Sequence, residues 1–119
     1  MDKKILIIDD DEGNRESLKL ILGDCYELIL TEDFLQGITI LNKNREIGLV
    51  LLNINLAGVQ ETDPLQTITT ARPNLPVFLI RSYKSIAEAS LPKAQGYLTK
   101  PFKSNEVLAA IKNIPGLHA

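Results

Sequence analysis

The chain has one cysteine, one histidine, one methionine and no tryptophan in 119 residues. Cys25 stands alone, so an internal disulfide is excluded, and a Cys/His zinc site has too few ligands. Long hydrophobic runs are missing too. Only four apolar residues, Ile5 to Ile8, separate the basic start from the acids Asp9, Asp10 and Asp11, too few for a secretory signal or a membrane span. There is no excess of positive charge. Thirteen Lys and Arg face fifteen Asp and Glu, which argues against a protein whose main task is gripping phosphate backbones. What is present suits a globular domain: 45% hydrophobic residues can fill a core, and 24% charged residues make an ordinary surface. The expectation is one cytoplasmic domain over residues 1–119, with no direct contact to nucleic acid or membrane.

Short apolar runs alternate with helical patterns. Ile5–Ile8, Leu49–Leu52 and Val77–Ile80 are continuous, as strands buried on both faces of a parallel sheet must be. Tyr26–Leu30 and Gly96–Thr99 read as two further strands. Between them, Leu18, Ile21 and Leu22 recur at helical spacing up to Gly23, and Asp33 can cap a helix carrying Leu35, Ile38 and Leu41. Asp63-Pro64 opens a third helix with Leu65 and Ile68, and a fourth is short, roughly 86–91, before Pro92. Ser104 can cap a last one with Val107, Leu108, Ile111 and Ile114 as its stripe. Strand and helix in alternation predict a doubly wound α/β fold with a five-stranded parallel sheet. Cys25 reads as a small buried hydrophobe, and His118 as tail.

In such sheets chemistry gathers beyond the carboxyl ends of the strands. The residues there are Asp9, Asp10 and Asp11, then Asn53 and Asn55, then Arg81 and Ser82, and finally Lys100. Three motifs carry a resemblance: Ile-Leu-Ile-Ile-Asp-Asp-Asp-Glu at 5–12, Leu-Val-Leu-Leu-Asn-Ile-Asn-Leu-Ala-Gly at 49–58, and Gly-Tyr-Leu-Thr-Lys-Pro-Phe at 96–102. The chain resembles the receiver domains of two-component response regulators. That resemblance implies a flavodoxin-like sheet of order 2-1-3-4-5 and a phosphoryl group passed from a histidine kinase to an aspartate at the end of strand 3. It implies Mg²⁺ held by Asp9, Asp10 and the backbone carbonyl of Asn55, with Lys100 pairing the phosphoryl oxygens. Tyr97 falls at the family's switch aromatic, and Lys100-Pro101 at its cis peptide.

The sequence departs from the family at the acceptor itself. Asn53 stands where the aspartate belongs, and an amide is uncharged and a poor nucleophile. Arg81 replaces the usual Ser or Thr of strand 4, and the loop after Asn53 lacks a proline at Ala57 and an acid-glycine pair at Gln60-Glu61. Several departures on one face describe a degenerate, pseudo-receiver-like domain rather than a single inactivating change. With the acceptor carboxylate gone, the expectation is that Arg81 bridges to Asp9 or Asp10, with Mg²⁺ absent or weakly bound. Tyr97 is then read as a packed strand tyrosine rather than a working switch.

The expected function is a non-enzymatic, phosphorylation-independent receiver acting through protein contacts. Its partner is a histidine kinase or an output protein, met through the fourth helix, fifth strand and last helix, and a homodimer through that face is a further expectation. The alternative is a receiver that still accepts a phosphoryl group, on Asp9 or Asp10. A nucleotide or flavin site is disfavoured, because Asp9-Asp10-Asp11-Glu12 offers no glycine cradle and repels anions.

Overall fold

Four aliphatic side chains in a row have no polar face to turn to water, and the sheet takes them inside. In the computed structural model, which describes residues 3–53, 64–82 and 94–117, Ile5 to Ile8 are all 0% exposed within β1 (Lys4–Ile8). The remaining elements are α1 (Glu12–Leu22), β2 (Leu28–Thr31), α2 (Phe34–Lys43), β3 (Ile47–Asn53), α3 (Pro64–Ala71), β4 (Val77–Ser82), β5 (Gly96–Lys100) and α4 (Ser104–Ile111). All strand pairs are parallel, in the order β2-β1-β3-β4-β5.

Strand alternation divides the core in two. Ile5, Ile7, Leu49, Leu51, Phe78 and Ile80 face α1 and α4, where Leu18, Leu22, Val107 and Ile111 meet them. Leu6, Ile8, Val50, Leu52, Val77 and Leu79 face α2 and α3, against Phe34, Leu41 and Ile68. This is the doubly wound arrangement that the alternating runs predict.

The structure departs from the sequence reading at several points: β1, β3, β4 and β5 run one or two residues beyond the apolar runs, and α4 ends at Ile111, before Ile114 of the expected stripe. β2 starts at Leu28 rather than Tyr26, because the Cys25 and Tyr26 N–H groups both donate to the Leu22 carbonyl and prolong the turn after α1. Ser104 is the first helical residue of α4, not its cap; Lys103 takes the cap position without a side-chain bond. In α2 the buried residues are Phe34, Gly37 and Leu41, with Ile38 packed beside them as expected; Leu35 is 73% exposed, and Phe34 takes its place on the inward stripe. Asp33 does cap α2, its carboxylate accepting from the Gln36 N–H at 3.2 Å. Cys25 is half-buried against the α1–α4 core. Asn55, the loop 54–63 with the Asp63 cap, the expected helix near 86–91 and His118 lie outside the described residues. Among the described residues no helix is long and apolar enough to cross a membrane.

Candidate functional site

Parallel pairing sets Ile8 level with Leu52, so the next residues, Asp9 and Asn53, meet where β1 and β3 end. Both continue the face of Ile7 and Leu51, toward α1. Asp9 is 0% exposed, and a carboxylate removed from water must find donors in the protein. It finds three. Its Oδ1 accepts from the Asn53 side-chain amide and from the Asp11 backbone N–H, each at 2.9 Å. Its Oδ2 accepts from the Asn14 amide at 2.8 Å.

Asn14 is placed by α1. Asp11 caps that helix, its Oδ1 accepting from the Asn14 N–H at 3.0 Å, which turns the first helical turn over the end of β1. The next residue, Arg15, donates from Nη1 to the Asp9 carbonyl at 2.7 Å, and its Nη2 lies 3.9 Å from Glu32. Lys100 reaches Asp11, Nζ to Oδ2 at 3.9 Å. The Asn14 N–H holds the Asp11 carboxyl below the usual aspartate value against partial desolvation, with Lys100 adding to the effect. Asp10 is exposed.

Arg81 does not bridge to Asp9 or Asp10, and that expectation is corrected. Its Nε donates to the Thr99 hydroxyl at 2.9 Å, and its guanidinium lies over the Tyr97 ring, 5.3 Å from the centroid. The reason lies in the pleat: Arg81 continues the Val77–Leu79 face, opposite to that of Asp9 and Asn53, and Thr99 is its register partner. The cation beside Asp9 is Arg15, which the sequence reading did not name. Nor did it name Asn14, whose signal was present: it sits four and eight residues before Leu18 and Leu22, a polar residue on the buried stripe of α1.

The model of the response regulator receiver domain matches residues 5–112. The chain belongs to that family. As a receiver domain of two-component systems it is similar to the sporulation initiation phosphotransferase F of Bacillus subtilis, 30% identical over 94% of this chain and 93% of the relative. The cell cycle transcriptional regulator CtrA of Caulobacter vibrioides is 28% identical over 91% of this chain but 48% of its own length, so the receiver spans about half of that relative. Among solved structures, a receiver domain protein of Clostridium thermocellum superposes with a TM-score of 0.81 at 25% identity, over 94% of this chain and 93% of that one. The chemotaxis protein CheY4 of Vibrio cholerae shares the fold, with a TM-score of 0.82 at 18% identity over 96% and 99% of the two chains. The Lys100-Pro101 peptide bond is cis, as the resemblance implies.

Receiver domains typically bind Mg²⁺ at the acidic pocket. The described part of this receiver's site fits the ion poorly; the Asn55 carbonyl lies outside it. Both oxygens of Asp9 already accept from N–H groups, and the residue facing it across the pocket is a neutral amide turned to donate. Among the described residues no three His, Cys, Asp or Glu side chains group as metal ligands.

Proposed function

We propose that this receiver works without taking a phosphoryl group and conveys its signal by protein contact, as a non-enzymatic cytoplasmic domain that binds Mg²⁺ weakly or not at all. The observation that carries this is the bond from the Asn53 amide to Asp9 at 2.9 Å. At the family's acceptor position stands an uncharged, poorly nucleophilic amide, and it is occupied as a donor. Asp9 is an unsuitable substitute, since three N–H groups and complete burial hold its carboxylate in place. Lys100, at the position that pairs phosphoryl oxygens in the family, is turned to Asp11.

Receiver domains interact with histidine kinases and with output domains, and the relatives include proteins named as a transcriptional regulator and as a phosphotransferase. For this chain the partner is a signalling protein of those kinds, or a second copy, meeting the face of β5 and α4. Arg81 stacked on Tyr97 supports a fixed rather than switching aromatic there.

The test is intact mass after incubation with Mg²⁺ and a small acyl-phosphate donor, beside an ordinary receiver and the Asn53→Asp variant. The expected result is no added phosphoryl group on this chain and full labelling of the ordinary receiver. A labelled chain overturns the reading, and a peptide map placing the group on Asp9 or Asp10 establishes the alternative acceptor. An unlabelled Asn53→Asp variant would show that departures other than Asn53 disable the pocket as well.

A further inference from the structure

Parallel strands put all their amino ends on one side, and there, opposite the acidic pocket, a second, half-open hollow lies at the surface. Its volume is about 340 Å³, with Lys3, Gly48, Arg72, Pro73, Pro76 and Pro115 in its walls. Its charged lining is two cations and no carboxylate, on a chain whose net charge is -2. Among the described residues neither Lys3 nor Arg72 forms an ion pair.

Both cations are placed by the fold. The Lys3 backbone N–H donates to the Gly116 carbonyl at 3.0 Å, and its stem runs over two glycines. A Cβ at Gly48 would stand 2.5 Å from the Lys3 Cδ, and one at Gly116 2.8 Å from it. Gly116 has φ 86°, a backbone that glycine adopts without strain. Arg72 is anchored by Nη2, which donates to the Ile47 carbonyl at 3.0 Å, while its Nη1 is enclosed and meets no acceptor. Enclosed donors without an acceptor are rare in folded proteins, so this one asks for an explanation.

We infer that this hollow binds a small organic anion. A carboxylate or phosphate oxyanion sits between Lys3 and Arg72, and an apolar body rests on the proline walls. A guanidinium held in the wall by its bond to the Ile47 carbonyl is preorganised to face an oxyanion in the hollow. The volume is at the lower end of small-molecule sites. The site is separate from the acidic pocket and does not depend on how Asn53 is read.

An amide NMR titration of the full chain with phenyl phosphate, benzoate and inorganic phosphate tests it. Saturable shifts are expected at Lys3, Gly48, Arg72 and Gly116, leaving Asp9 and Asn53 unmoved, with the tighter of the two aromatic probes identifying the preferred oxyanion. Arg72→Met is expected to weaken binding about tenfold, the value of a charge-assisted hydrogen bond. Lys3→Met, at an exposed side chain that anchors no strand, is expected to weaken it while the spectrum stays dispersed. The inference is overturned if no probe saturates at about 10 mM, or if both variants bind unchanged. It is also overturned if inorganic phosphate binds as well as phenyl phosphate, since the apolar walls then contribute nothing.

Discussion

A buried carboxylate is costly unless its lone pairs are met, and at Asp9 neutral amides from two separate elements meet them. Removing either amide should show in stability. Asn14→Leu fits the apolar stripe of α1 but leaves Oδ2 of Asp9 without its donor, and a loss of about 2 kcal/mol is expected in urea unfolding. A neutral or stabilising result would mean that water reaches Asp9 after all. Asn53→Asp is predicted to lower Tm without metal, because it sets a second carboxylate against Asp9 where an N–H had donated. Mg²⁺ is then expected to raise the Tm of the variant and leave that of the unaltered chain unchanged, as calorimetry can check. A clear Mg²⁺-dependent rise in the unaltered chain would contradict the poor fit of the pocket for the ion.

At the scale of elements, α2 lies on the sheet through a glycine. A Cβ at Gly37 would stand 2.6 Å from the Ile8 Cδ1, and Ile8 is 0% exposed, so its side chain would have to shift within the packed core. Alanine improves helix propensity by about 1 kcal/mol, but overpacking a filled core costs about 1–3 kcal/mol. Gly37→Ala is therefore expected to destabilise, by about 1 kcal/mol in denaturant unfolding; a gain would show that Ile8 repacks. This contact was not legible in the sequence. Of the expected Leu35, Ile38 and Leu41, the last two do pack on the core, but Leu35 faces water and Phe34 and Gly37 turn inward instead. Spacing defines a stripe within the helix, and packing against β1 decides how far the helix turns about its axis.

Over the whole molecule, Lys4 ties three strand beginnings together. Its ammonium lies 3.0 Å from Glu27 and 3.4 Å from Glu46, the residues just before β2 and β3. Glu27 chiefly, with Glu46, raises the Lys4 pKa above the ordinary lysine value. Glu46 is lowered, first by its own backbone N–H and then by Lys4. The Glu46 contribution is thus complete above the ordinary glutamate value and fades as pH falls through its lowered one. That of Lys4 is complete below the ordinary lysine value and fades above its raised one. Lys4→Met should lower Tm slightly near neutral pH, because the pairs are solvent-screened, and the gap should close toward about pH 3. A gap that stays constant over that range would assign the effect to the lysine stem instead.

The sequence by itself determined the fold class, because a strand buried on both faces must be apolar throughout, and runs such as Ile5–Ile8 and Leu49–Leu52 have no other stable home. It also determined that an amide occupies the strand-3 acceptor position, since identity at a strand end is written in the chain. Only the tertiary structure decided what those residues touch. Arg81 turns to Thr99, Asn14 descends on Asp9, and Lys3 and Arg72 come to line one hollow, and none of these placements follows from local spacing. Periodicity reports a residue's own element over a few turns. Contacts between elements follow from strand register, pleat and helix rotation, which are settled only when the two sides of the core close on the sheet.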